Sequence, residues 1–176
     1  MFTRQKNEGF SLLDLLIVLM ILGITGIIVA PQLHSMMTEA RLNEAAREMV
    51  CGLHYAQSLA VTHQRPFGVK ADVDGNWFRV FDYRFRDDSS PHHNEAPPVD
   101  AYGVVINPLD KNWYMVDLDT SHTYEGVSID SMPPTGMISF YPDGHSSSND
   151  SLFVMSYGGD SKTITVDGIT GKIRVD

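Results

Sequence analysis

The sequence predicts an α+β fold, one long amino-terminal helix followed by short antiparallel strands, and three observations carry that expectation. The stretch from Phe10 to Ala30 is apolar apart from a single acid, Asp14. Apolar residues then recur at helical spacing as far as Ala60, and from Phe67 onward short β-rich pieces alternate with turn signals.

The apolar run is about twenty residues, and at roughly 1.5 Å rise per residue it matches the ~30 Å hydrocarbon core of a bilayer. A secretory signal peptide has a shorter apolar core and a small-residue cleavage site behind it. Here the run passes through Gly23, Gly26 and Pro31 into a second helical pattern, so residues 10–30 are expected to stay as a transmembrane helix. Arg4 and Lys6 precede it, which keeps residues 1–9 in the cytoplasm and places the chain after about Pro31 across the membrane.

Beyond Pro31, Leu33, Met37, Ala40, Ala45, Met49, Leu53, Ala56 and Ala60 recur every three or four residues, with Glu39, Arg41, Glu44, Arg47 and Glu48 between them. Residues 31–64 therefore read as the amphipathic half of the same helix, and the apolar stripe needs a sheet to cover it. Residues 65–176 supply the β-rich domain. Phe67–Val73 and Trp77–Tyr83 flank Asp74-Gly75-Asn76, a hairpin turn signal. Further strands are expected over Tyr102–Ile106, Trp113–Leu118, Gly126–Asp130, Met137–Tyr141, Leu152–Tyr157, Lys162–Val166 and Lys172–Val175. Residues 84–100, RFRDDSSPHHNEAPPVD, are polar, rich in proline and without periodicity, which predicts a long surface loop. That loop is either a contact surface or a disposable insertion.

Composition fits a tethered domain. Of 176 residues, about 145 remain outside the spanning segment, enough for one modest core. Thirteen basic and 22 acidic side chains give −9; without Arg4, Lys6 and Glu8 they become 11 and 21, or −10 before a new amino terminus is counted. An acidic surface argues against general attraction to nucleic acid. Cys51 is the only cysteine, so it makes no intramolecular disulfide, and it reads as a small buried helix residue rather than a reactive thiol.

Constellations that suggest chemistry are weak. Asp72-Val73-Asp74-Gly75-Asn76 resembles a fragment of a calcium loop but lacks the remaining acidic ligands, which favours the turn. His92-His93 has no further ligand at metal spacing. His145 and Ser146 follow a turn without a nucleophile elbow. Trp77, Phe78, Phe81 and Tyr83 read as core packing. No cofactor, metal site or catalytic residue is expected.

Asp14 is the residue that asks for an explanation. A carboxylate within an apolar span costs on the order of 2.5–3.5 kcal/mol at the helix centre and less near an interface, so it is either hydrated there or partnered. The residues around it, Gly9-Phe10-Ser11-Leu12-Leu13-Asp14-Leu15-Leu16 behind a short charged leader, resemble the class III signal of type IV pilins and type II secretion pseudopilins. The resemblance implies that a prepilin peptidase removes residues 1–9 by cutting between Gly9 and Phe10 and N-methylates Phe10. It also implies that Asp14 stands where the family normally has glutamate, the residue that pairs with the terminal ammonium of a neighbouring subunit. Aspartate is one methylene shorter than that glutamate. Pro31 falls where the family usually has a helix-kinking proline.

The order of pieces in the second half, from Leu53-His54-Tyr55-Ala56-Gln57-Ser58-Leu59-Ala60 and Gly68-Val69, through Met137–Gly144, Leu152–Ser156 and Ile164–Val166, to Gly168–Val175, resembles the GspH/FimT group of minor pilins and pseudopilins. The resemblance implies a pilin-like fold, a spine helix packed on one or two antiparallel sheets. It implies a structural subunit near the tip of a type II secretion pseudopilus, single-pass in the inner membrane with a periplasmic domain. Implied partners are the prepilin peptidase, major and minor pseudopilins, the inner-membrane assembly platform, exported proteins and the outer-membrane secretin. Two alternatives stand beside it. Gly171-Lys172-Ile173-Arg174 is similar to the basic tail of FimT-type minor pilins, some of which bind DNA during uptake, with Lys172 and Arg174 as the contacts; the plain reading is a terminal strand with both cations on one face. The other alternative is a membrane-anchored periplasmic domain that never polymerises.

Overall fold

A computed structural model of the chain describes residues 12–83, 103, 105–147 and 151–176, without the side chains of 26–35 and 151. Among the described residues one helix, α1 (Leu12–His63), precedes eight strands: β1 (Phe67–Asp72), β2 (Trp77–Asp82), β3 (Met115–Asp117), β4 (Ser128–Ser131), β5 (Met137–Phe140), β6 (Ser151–Tyr157), β7 (Asp160–Val166) and β8 (Ile173–Val175). The chain divides into two compact units, residues 1–37 and residues 38–176. The expected cleavage junction at Gly9 and Phe10, His92-His93 and the 84–100 loop lie outside the described residues, as does the side chain of Pro31.

Within the second unit, the strands form two antiparallel sheets, ordered β3-β2-β1-β5 and β4-β6-β7-β8. The part of α1 from Thr38 onward buries Leu42, Ala45, Ala46, Met49, Leu53, Ala56 and Ala60 in one core with Phe78, Val80, Ile138, Phe140, Phe153, Met155, Ile164 and Val166 from both sheets. Alanine at four of these helix positions lets the backbone approach the sheets closely. The helix stops where Gln64 takes a left-handed φ of 52°, with its Nε2 donating to the Val61 carbonyl at 2.7 Å, and Pro66 follows.

Several expectations are corrected. Cys51 is exposed, not buried. The buried stripe passes through Met49 and Leu53, and a residue two positions from each lies roughly 200° around the helix, on the opposite face. Met37 and Ala40 are also exposed, because the stripe begins one residue later at Thr38 and continues through Leu42. Tyr102–Ile106 contributes a single bridge, Ile106 to Trp113, among its described residues. In β2 every residue from Trp77 to Asp82 is buried, on both faces of the strand. Phe78 and Val80 face the shared core, and the Arg79 guanidinium lies 5.5 Å from the Trp77 ring centroid.

Two turns show why the sequence folds locally as it does. Between β1 and β2, the Asp72 carboxylate accepts the Gly75 N–H at 2.6 Å, and Asn76 adopts a φ of 49°, which asparagine tolerates. Between β6 and β7, Gly158 and Gly159 both have positive φ, 63° and 98°, the conformation a two-residue hairpin turn requires.

Candidate functional site

Three places in the chain could carry function, and the first is the amino-terminal part of α1. Leu12, Leu13, Leu15, Leu16, Ile17, Val18, Leu19, Met20, Ile21, Leu22 and Ile24 are all exposed, the least of them 46%. Successive residues in a helix point about 100° apart, so this segment is apolar on every face. Burying each such side chain is worth about 1.5–3 kcal/mol, so any apolar covering of this segment would be strongly favourable. Asp14 lies in the first turn of α1 and is exposed. Among the described residues no helix is long and apolar enough to cross a membrane, the side chains of 26–35 falling outside that description.

The second place is a pair of turns fastened to α1. Gln57 donates from Nε2 to the carbonyls of Gly144 and Gly171, at 3.1 and 3.3 Å. Gly171 has a φ of 64°, and a Cβ there would stand 2.1 Å from the Gly144 carbonyl oxygen, so only glycine fits. Asp167 closes the β7–β8 turn by accepting the N–H groups of Ile169 and Thr170 and the Thr170 hydroxyl, at 3.0, 2.7 and 2.8 Å. These bonds, with the charge of Arg174 a smaller contribution, hold the Asp167 carboxyl below the usual carboxylate range. Lys172 and Arg174 are both exposed, as their common face predicts. In the other turn, His145 stacks on Tyr141 with centroids 4.5 Å apart and pairs through Nδ1 with Asp143, whose carboxyl is pulled down by that bond.

The third is the face of α1 around Glu48. Tyr114 donates its hydroxyl to Glu48 Oε1 at 3.1 Å and stacks on Tyr55 at 5.7 Å. Burial, followed by the Glu48 charge, pushes the Tyr114 phenol well above its ordinary range, and Tyr124 shifts the same way. A phenol held neutral beside a carboxylate is a tether, not an acid catalyst. Tyr55 in turn donates to the Ile106 carbonyl at 3.1 Å.

The candidates for chemistry do not converge. Asp72 is committed to its turn, and among the described residues no group of three or more His, Cys, Asp or Glu could hold a metal ion. Ser146 is buried while its neighbour His145 turns to Asp143. Sequence reasoning missed the roles of Gln57, Asn76 and Asp167. Gln57 stood inside the segment that carried the resemblance, but nothing local signals a bridge to carbonyls 87 and 114 residues away.

Comparison with known proteins now adds to this geometry. Among solved structures, the chain is similar to the minor pseudopilin EpsH from the type 2 secretion system of Vibrio cholerae, at 15% identity, covering 77% of this chain and 96% of that one with a TM-score of 0.51. It is also similar to the type IV minor pilin FimU of Pseudomonas aeruginosa, at 18% identity, covering 77% and 87% with a TM-score of 0.49. No curated protein sequence matches. The likeness to EpsH establishes the shared α+β fold. The family described as type II transport protein GspH matches residues 45–171, the stretch that holds Gln57, Gly68, both clasped turns and most of the two-sheet core, and the chain therefore belongs to the GspH family.

Proposed function

We propose that the chain is a minor pseudopilin, a non-enzymatic structural subunit near the tip of a type II secretion pseudopilus that supports protein export across the outer membrane. Membership of the GspH family supports the reading, and the observation that carries it is the amino-terminal helix with large apolar side chains exposed on every face. Such a helix is costly in water and suits first a bilayer and then a bundle of like helices. In this reading a prepilin peptidase removes residues 1–9 and N-methylates Phe10. Residues 10–30 anchor the chain in the inner membrane, with the amino terminus cytoplasmic and the remainder periplasmic. Pro31 bends the helix at the membrane surface.

Asp14 then has a specific task. As the fifth residue of the mature chain it pairs with the terminal ammonium of a neighbouring subunit when the assembly platform extracts the helix from the bilayer. A buried ion pair contributes little net stability, yet breaking one leaves an uncompensated charge, so the pair suits setting register between subunits. The other pseudopilins are the direct partners, with exported protein or the secretin meeting the periplasmic domain.

The experiment is intact-mass and amino-terminal sequencing of the protein purified from membranes of its own cells. A start at N-methylated Phe10 is the expected result. An intact Met1 start in cells with an active prepilin peptidase would refute the assembly mechanism and leave a plain anchored domain. Tight, salt-sensitive DNA binding through Lys172 and Arg174 would instead favour a FimT-like minor pilin.

A further inference from the structure

The β3-β2-β1-β5 sheet has a second face, turned away from the core. Phe67, Val69 and Ala71 of β1 enter the core with Phe78 and Val80 of β2, so Gly68, Lys70 and Asp72 lie on the other side with Trp77, Arg79 and Phe81. Across that side, Lys70 stands directly opposite Arg79 in β2 and Met137 in β5, and Arg79 stands opposite Met115 in β3. Two cations thus share one row, flanked by two methionines. Directly opposite residues have Cβ atoms about 4.5–5.5 Å apart, and like charges so placed destabilise a sheet. Arg79 is 2% exposed with its guanidinium over Trp77, whereas Lys70 is half-buried, so the amine is the member of the pair that small molecules reach.

Neutralising one of the two charges relieves the repulsion, and an amine does so by losing its proton. Burial, followed by the Arg79 charge, pulls the Lys70 amine below its ordinary range, with the Asp72 carboxylate a smaller opposing influence. Asp72 is turned to the Gly75 N–H at 2.6 Å, and β5 presents the uncharged Met137. A lysine desolvated next to another cation is a nucleophile, since only the free amine carries the lone pair. We propose that Lys70 is a carbon dioxide site, where its amine forms a carbamate beside the positive charge of Arg79. The nitrogen lone pair bonds to the carbon of carbon dioxide, one C=O π pair moves onto oxygen, and the N–H proton leaves to water. The product is an anion opposite a cation in place of two cations, so the repelling row becomes an ion pair. An acyl donor would leave a neutral amide, which gains no such pairing with the guanidinium. The inference concerns this sheet alone and does not rest on the pseudopilus reading.

The test is carbamate trapping on the full-length chain in mild detergent. The protein is equilibrated with isotope-labelled bicarbonate at constant pH and ionic strength, alkylated with triethyloxonium ion and mapped by peptide mass spectrometry. Expected is labelled ethyl carbamate on the Lys70 peptide, several-fold above that on the exposed Lys111 and Lys172, and lost in Lys70→Arg. Arg79→Gln, once its tryptophan fluorescence shows it folded, should lower the Lys70 adduct several-fold. An adduct on Lys70 no greater than on Lys111 and Lys172 would overturn the proposal, as would a Lys70 adduct undiminished in folded Arg79→Gln. Where Arg79→Gln does not fold, the urea midpoint decides instead. Bicarbonate in place of chloride should raise it in the unaltered chain and not in Lys70→Arg, since a group bound only by the folded state stabilises that state. Any other pair of midpoints overturns the carbamate.

Discussion

Replacing Asn76 by alanine should be among the most damaging single changes outside the apolar core. Asn76 is 8% exposed and joins the two sheets. Its Nδ2 donates to Asp119 Oδ1 at 2.6 Å and to the Val127 carbonyl at 2.9 Å, and its Oδ1 accepts the Ile129 N–H at 2.9 Å. Its own carbonyl accepts the Leu118 N–H at 3.1 Å, which fixes the segment after β3. Alanine strands the Val127 carbonyl and the Ile129 amide in buried surroundings, at ~1–3 kcal/mol each. It also places a Cβ without a local hydrogen bond at a φ of 49°, about 1 kcal/mol more. The total is about 3–7 kcal/mol, a downward shift of roughly 1.5–3.5 M in the urea midpoint at a slope of about 2 kcal/mol/M.

The assay is equilibrium unfolding of the full-length chain in mild detergent, followed by the fluorescence of its two tryptophans, of which Trp77 is buried beside the turn. Asn76→Gly loses the same hydrogen bonds but tolerates the backbone, so it should be about 1 kcal/mol less damaging than alanine. A shift under about 0.5 M for Asn76→Ala would refute the bridging role. Equal shifts for alanine and glycine would refute the backbone contribution alone.

Other expectations follow from individual contacts. A Cβ on Gly52 would meet Val80, Phe78 and Tyr114 at 3.4–3.6 Å, ordinary contact distances, so Gly52→Ala should stabilise the domain by about 0.5–1 kcal/mol in the same assay. Gly68→Ala should do the reverse, since its Cβ would lie 2.2 Å from the Ile138 carbonyl oxygen, and soluble expression should collapse. Gln57→Ala should cost about 1–3 kcal/mol and raise amide exchange in both clasped turns by comparison with the β1–β2 turn. Asp167 has a folded-state pKa below its unfolded one, so its stabilisation is present above the unfolded value and is lost as pH falls through the folded one; amide protection of Ile169 and Thr170 should fade below about pH 4, and Asp167→Asn should abolish that dependence. Asp14→Ala should leave cleavage intact and impair incorporation into filaments, with Asp14→Glu working at least as well; normal incorporation of the alanine variant would remove the pairing role.

Much of the fold was legible because it depends on local pattern. The helical spacing of Ala45, Met49, Leu53, Ala56 and Ala60 reads the buried face directly, and each is fully buried. The hairpin from Phe67 to Asp82 follows from its turn residues, and the later strands fall within a few residues of the β-rich pieces. What was not legible depends on pairing between distant segments. Nothing near Gly68 says that it lies opposite Ser139, and nothing in β4 says that it joins β6 rather than β3. Cys51 was misplaced because its small apolar side chain fits either face, and only the fitted phase of the stripe decides between them. The site was legible less evenly. Lys172 and Arg174 lie exposed, but so does Val175 on the other face, and Gln57 gave no sign that it spans two turns.

Gly68 and Gly171 stand where another segment of the same chain passes too close for a Cβ, and Gln57 donates to the Gly144 and Gly171 carbonyls. These residues serve the backbone itself, so their presence testifies to the fold and says nothing of the partner. The residues free to differ without disturbing that backbone are the exposed ones carried on it, Ile169, Lys172 and Arg174 among them. Replacing Ile169, Lys172 and Arg174 together by serine, with the glycines and Gln57 untouched, should therefore leave the unfolding midpoint unchanged. A changed midpoint would mean that the tip belongs to the core after all.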